Sequence, residues 1–244
     1  MSYKSTKYFI SILFYCLFSF SANAQDINVI LKRHFQAIGQ SSFESIRSVS
    51  LEVTEVDGFG KGRKYELIKK RPNKLSQRGV ANGNEFVITF NGRNALTWQP
   101  NQDSSFRKLN QREENLLHIQ STIGSPLVLG QKKDFYLEIH RSAYVDRRSA
   151  YVFRLDFPDG LFVEFFVDKK DFLIKKLITY TDNTAEEVDV EINYSNFKKL
   201  GSFVFPYKME RIHGTDPVID IIVGEIAVGV GAANELFEAP SSMK

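Results

Sequence analysis

From Val49 onward, apolar and polar residues alternate with the two-residue period of a half-buried strand, and turn residues interrupt the alternation at short intervals. Val49, Leu51 and Val53 take turns with Ser50, Glu52 and Thr54. The pattern returns in Tyr65 to Ile68, Phe86 to Phe90, Ala95 to Trp98, Phe135-Leu137-Ile139, Tyr151-Phe153-Leu155 and Leu161-Val163-Phe165-Val167. It continues through Phe172-Ile174, Val188-Val190-Ile192-Tyr194, Phe203-Phe205 and Val218 to Ile226. Asp57-Gly58, Asn82-Gly83 and Asn91-Gly92 tolerate positive φ and predict hairpin turns. Pro158-Asp159-Gly160 and Asp168-Lys169-Lys170-Asp171 separate the strongest later strands. The sum, about 11–12 strands, is too many for a flat open sheet with one wet face, so the expectation is a mainly β fold with strong curvature or closure.

Two segments break the alternation. Asp26 is a good N-cap, and Ile27, Ile30, Leu31, Phe35 and Ile38 then recur at helical spacing until Gly39 ends the element. Ser42 to Ile46 is expected to add a further turn. In the middle of the chain, Asn110 and Glu113 predict a capping box, and Leu116, Ile119 and Ile123 mark one face of a helix that closes at Gly124 before Pro126. Each amphipathic helix needs a surface to cover, and the sheet is the only large one available. The narrow stripe of the second helix predicts a loosely held, movable lid.

The N-terminus has the form of a cleavable export signal. Lys4 and Lys7 precede the apolar run Tyr8 to Phe20, and Ala22-Asn23-Ala24 supplies the small residues a signal peptidase accepts. Residues 1–24 are therefore read as a signal peptide and residues 25–244 as one domain, exported to the periplasm and soluble. The apolar run is too short for a comfortable membrane span. Cys16, the only cysteine, lies inside the signal, which excludes disulfides, thiol nucleophiles and thiolate metal sites from the mature chain.

Charge and candidate chemistry narrow the function further. Without Lys4 and Lys7, the 32 basic residues become 30 against 29 acids, and so balanced a chain does not favour nucleic acid. The dense basic run Lys69-Lys70-Arg71-Pro72-Asn73-Lys74 surrounds a Pro-Asn turn and is read as a solvated hairpin end. The competing reading is contact with anionic lipid headgroups or an acidic partner. His34, His118, His140 and His213 stand on separate elements without metal-ligand spacing, so no metal or cofactor is expected. Glu187, Asp189 and Glu191 alternate with apolar residues as a solvent face. Asp156, Asp159 and Asp168 are read as turn and strand-end residues. No nucleophile elbow, phosphate loop or dinucleotide fingerprint is present, and the expectation is a protein that is not an enzyme.

Two stretches resemble the family of periplasmic lipoprotein carriers LolA and LolB. One is Phe90-Asn91-Gly92-Arg93-Asn94-Ala95-Leu96-Thr97-Trp98-Gln99-Pro100. The other runs from Ile192-Asn193-Tyr194 through Phe197, Gly201 and Phe203-Val204-Phe205-Pro206 to Glu210, and Phe237-Glu238-Ala239-Pro240 fits the family's ending. The version seen here is most similar to the outer-membrane lipoprotein-sorting-like proteins of Gram-negative bacteria. The resemblance implies a curved antiparallel half-barrel whose concave apolar face is covered by helices. It also implies a carrier that shelters a lipid, an acyl chain or a lipoprotein there, exchanges it with a membrane-associated donor or acceptor protein, and acts as a monomer. On that reading Phe86, Phe90, Trp98, Phe153 and Phe165 wall the cavity, Phe35 and Ile38 cover it, and Leu116, Ile119 and Ile123 form the lid face. In the carriers an arginine on an early strand holds the lid closed, and Arg47, Arg63 and Arg78 are the candidates for that role. The alternative is an interaction or sensor module of the same fold whose cavity is filled by its own side chains.

Overall fold

A computed structural model describes residues 26–99 and 105–239 of the chain. The expected signal sequence, including Lys4, Lys7, Cys16 and the expected cleavage site, lies outside the described residues, as do Pro100 and Pro240.

Helix α1 (Ile27–Ile38) begins where expected, with the Asp26 carboxylate accepting from the Asn28 main-chain N–H. Gly39 ends it with φ 74°, and a short helix α2 (Gln40–Glu44) follows. That glycine is required twice over, because a Cβ on it would stand 2.0 Å from the Ser202 carbonyl oxygen. Thirteen strands then form a single antiparallel sheet. The first meander is β1 (Ser48–Asp57), β2 (Gly62–Lys70), β3 (Lys74–Ala81), β4 (Asn84–Phe90), β5 (Ala95–Trp98) and β6 (Arg107–Lys108). Helix α3 (Gln111–Ser121) and a 3₁₀ turn (Pro126–Gln131) intervene. The second meander is β7 (Tyr136–Val145), β8 (Arg148–Asp156), β9 (Phe162–Asp168), β10 (Ile174–Tyr180), β11 (Val188–Leu200), β12 (Phe203–His213) and β13 (Ile219–Val228). A last 3₁₀ turn (Asn234–Phe237) follows. The strands beyond the expected count are β3, whose Ser76-Gln77-Arg78 hides the alternation, and β6, which is only two residues long.

The strand order is β6-β5-β4-β3-β2-β1-β13-β12-β11-β10-β9-β8-β7. Both meanders run outward from the central β1–β13 pair, in which Val53 faces Val223 and Glu55 faces Ile221. Consequently the two free edges, β6 and β7, are consecutive in the chain, and α3 is the connection between them. An 11-residue helix is only ~16 Å long, far less than the ~58 Å that 13 flat strands would span. The sheet instead curls. Helix α3 packs on β3, β4 and β5 with one flank. With its other flank it reaches the β8–β9 and β10–β11 turns, so the two wings face each other across a single helix. Register shifts at Leu51/Val53, Ile139/Arg141, Ile174/Lys176 and Thr179/Tyr180 accompany the bending. The fold is thus the mainly β, antiparallel half-barrel expected, open at its edges and covered on the concave side.

Candidate functional site

Alternation decides which side chains reach the concave face. On the second wing these are Leu137, Phe153, Leu155, Val163, Phe165, Leu177 and Ile192, which form one cluster with Ile30 and Leu31 of α1, Ile119 of α3, and Leu127 and Leu129 of the 3₁₀ turn. At the centre, Leu51, Val53, Tyr65, Phe86, Ile221 and Val223 pack around Phe43 and Ile123. On the first wing, Leu75, Phe90 and Ala95 pack against Leu117. Helix α3 and the residues just after it therefore touch all three clusters, with Leu117, Ile119 and Ile123 divided among them.

Of the ten residues predicted to form the site, Phe86, Phe90, Phe153, Phe165, Ile119 and Ile123 belong to these concave clusters, and Ile38 is buried. Phe35 is half-buried at the margin, because the buried face of α1 is Ile30, Leu31, His34 and Ile38, turned slightly from the expected stripe. Leu116 lines a crevice of ≈ 10 Å³ with Arg112, Asn115, Phe157, Val163 and Tyr180, room for about one water. Trp98 is not with the others. It pairs with Val87 on the opposite face from Phe86 and Ile88 and stacks on Phe106 at 5.8 Å. The length of β5, read as Ala95 to Trp98, was right, but only Ala95 and Thr97 face inward. The expected narrow stripe on α3 also needs correcting, since Leu117, Glu114, Asn115 and Ser121 are buried too.

The interior is filled. Phe153 and Phe165 are 0% exposed, as is Leu127 above them. A groove of ≈ 520 Å³ lies on the convex side between Glu52, Lys64, Glu66, Arg78 and Glu225, and its open, charged walls do not suit an acyl chain.

Polar ties close the lid over this interior. The Arg71 guanidinium, in the β2–β3 turn, donates to the carbonyl oxygens of Phe43 and Ile46 at 2.9 Å each and of Ile123 at 3.5 Å. One side chain thereby joins the ends of α2 and α3 to the sheet. None of the candidates read from the sequence does this: Arg47 is exposed, Arg63 pairs with Glu55, and Arg78 donates to Ser76 and the Leu236 carbonyl. The basic run was therefore misread as solvated, because a carbonyl-rich helix end is as good a partner for a cation as water is. At its other end α3 has its capping box, with Asn110 and Glu113 each satisfying the other's main-chain N–H. Arg112 donates to the Thr181 carbonyl and lies 3.6 Å from Asp189, while Asn115 donates to Asp159 at 2.8 Å. The lid is held at both ends, more firmly than its apolar stripe implied.

His34 fastens α1. Nδ1 lies 2.6 Å from the Phe172 carbonyl oxygen and Nε2 2.7 Å from Ser125 Oγ. The carbonyl can only accept, so Nδ1 carries a proton, and burial leaves Nε2 bare to accept from the serine hydroxyl. Burial pushes its pKa down to about 4, against the Phe172 hydrogen bond, which works upward. Gln40 Oε1 accepts from the Ser125 N–H, so both N-terminal helices meet the segment after α3. Near the β1–β2 turn, Glu55 is buried among Arg63, Arg211 and the Tyr65 hydroxyl at 2.7–3.0 Å. Burial alone would raise its pKa, but the two guanidiniums and the phenol together hold it below the usual carboxylate value. Among the described residues, no group of three His, Cys, Asp or Glu side chains is placed to hold a metal ion, and no helix is long and apolar enough to cross a membrane.

A concave apolar half-barrel closed by helices is a LolA-like fold, and solved structures agree. A LolA superfamily protein from Nitrosomonas europaea superposes with a TM-score of 0.61 at 14% identity, covering 86% of this chain and 96% of that one. A putative outer-membrane lipoprotein-sorting protein domain from Vibrio parahaemolyticus gives 0.59 at 10% identity over 88% and 97%. A DUF1329 family protein from Desulfovibrio piger gives 0.58 at 12% identity over 88% and 99%. No family model and no curated protein sequence matches the chain.

Proposed function

We propose that this chain is an exported, non-enzymatic carrier that shelters the acyl chains of a lipid or lipoprotein between the concave sheet face and helices α1 to α3. The observation that carries the reading is the Arg71 contact: a single guanidinium on the sheet closes both lid segments through main-chain oxygens. Releasing these three hydrogen bonds frees the C-terminal end of α3 beside the aromatic face around Phe86 and Phe90, while the Arg112 and Asn115 ties still hold its other end. Each methylene moved there from water is worth ~0.8 kcal/mol, so one acyl chain supplies on the order of 10 kcal/mol before the costs of ordering and lid opening. Passing the chain to a partner of comparable burial would release it without covalent chemistry. In this closed state the lid must move before a ligand enters.

A second reading is favoured by the filled interior. If Phe153, Phe165 and Leu127 never separate, the fold is a rigid interaction or sensor module that binds a protein through its edges or hairpins. Extraction and mass spectrometry of protein purified from the periplasm separate the two. Stoichiometric acyl lipid, raised or lowered in Arg71→Leu, supports the carrier; no lipid, and no uptake of a fluorescent lipopeptide by either form, supports the module. Intact mass from the same sample tests cleavage after Ala24.

A further inference from the structure

The concave face is not uniformly apolar. Lys69 lies on β2 between Val49 of β1 and Leu75 of β3, its cross-strand partners, which are 2% and 0% exposed. Its amine donates to the Thr122 carbonyl at 3.4 Å, the outer limit of a hydrogen bond. Gln77 of β3 faces Leu67 and is therefore the diagonal neighbour of Lys69 on the same face, with the backbones about 7–8 Å apart. Gln77 is 5% exposed, its Nε2 reaches Gln120 Oε1 at 3.4 Å, and its Oε1 is buried without a partner. Both polar groups sit under the last turns of α3, and each has only one long contact to the lid.

Positive charge here goes uncompensated. Among the described residues no carboxylate forms an ion pair with Lys69, Arg71 or Lys132, although the ion pairs elsewhere are many. The carbonyls at the end of α3 offset part of this, and only while the lid is closed. Burial pushes the Lys69 amine down to about 8, so it is still charged at neutral pH. Lifting α3 to admit a chain would strand an ammonium and an amide in an apolar cavity, at a cost that a neutral ligand leaves in place.

We propose that Lys69 and Gln77 form a headgroup site that selects single-chain amphiphiles ending in a carboxylate. One carboxylate oxygen accepts from Lys69 Nζ. Turning the Gln77 and Gln120 amides over together preserves their mutual hydrogen bond and aims a Gln77 N–H at the second oxygen. The inference rests on the acyl-carrier reading and names the class of ligand.

The test is titration of the delipidated mature protein at pH 7 with laurate and with 1-dodecanol, which share a chain length and differ in charge. Laurate is expected to bind roughly tenfold or more tightly than the alcohol, the worth of one charge-assisted hydrogen bond. Lys69→Met should remove that preference while dodecanol binds at least as tightly as before, because one charge-assisted bond is lost, apolar burial is kept and no ammonium is left stranded under a neutral ligand. Gln77→Glu supplies an internal carboxylate to Lys69 and should remove the preference likewise, which keeps the test decisive if Lys69→Met fails to fold. Equal binding of the two ligands by the unaltered protein overturns the headgroup site and leaves the carrier standing. A preference that survives in either variant overturns it as well. Binding of neither ligand overturns the carrier reading and this site together.

Discussion

His34 Nε2 lies 2.7 Å from Ser125 Oγ, and this one contact fastens the first helix to the segment that follows the lid. With Nδ1 spent on the Phe172 carbonyl, the ring joins three parts of the chain that are far apart in sequence. Burial keeps that ring neutral.

Stability should therefore fall in mild acid. The unfolded chain takes up the His34 proton near pH 6.5 and the folded one near 4, so stability is complete above about 6.5 and declines toward 4, by about 3 kcal/mol in all. His118, on α3, is also held down to about 4, by burial first and then by the charge on Lys132, and adds to the same slope. Urea midpoints at pH 7 and 4.5 measure the loss. In His34→Gln the slope between those values should shrink to about half, given two histidines of like shift; an unchanged slope would show that the ring does not titrate as its burial requires.

Arg71→Leu should loosen the lid more than the sheet. Each hydrogen bond from a charged group contributes about 1.5–3 kcal/mol locally, so amides of residues 111–123 and 40–46 should exchange tenfold or more faster. Amides of β8 and β9 are expected to keep their protection. Uniform acceleration across the sheet would mean that Arg71 supports the whole fold and not a separable cover.

Glu55→Gln should be among the most damaging changes outside the aromatic core. It leaves Arg63 and Arg211 facing each other at a site where the carboxylate is 4% exposed, a loss of about 3–5 kcal/mol. Chemical denaturation reads it directly. The same carboxyl adds stability above its ordinary pKa that is lost as pH falls through the depressed folded value, a second acid limb below that of His34. A loss under about 1 kcal/mol would mean that water already screens the cluster.

Trp98 should be a poor reporter of ligand. It faces away from the lid and stacks on Phe106, so its emission maximum should hold when laurate is added. A tryptophan at the inward position in Phe90→Trp, with Trp98→Phe, should shift. The reverse result would place the ligand on the convex face.

The sequence exposed its periodicities well. The alternation from Val49 to Ile226, the Asp26 cap, the Asn110–Glu113 capping box and the Gly39 stop all rest on interactions within a few residues, and each reappears in the structure. Strand β3 was harder to read because Gln77 and Gly79 occupy inward positions where apolar residues would have marked the alternation. Trp98 was placed on the wrong face because a large aromatic is an ordinary marker of the core, while the inward residues beside it are the small Ala95 and Thr97.

The sequence by itself determined the mainly β class, the helix positions and most of the aromatic lining, since strand and helix periods are local properties of the chain. Tertiary structure alone decided the rest. Pairing β1 with β13 brings the two sheet edges to either side of α3, the β1–β2 register sets Arg71 beside the carbonyls of Phe43 and Ile46, and the packing of the segment after α3 adds that of Ile123. Those acceptors are main-chain oxygens, which every residue possesses, so no side-chain pattern could announce them. Lys69 reads as part of a solvated hairpin end and Gln77 draws no reading, because burial of a polar group is a property of what packs above it.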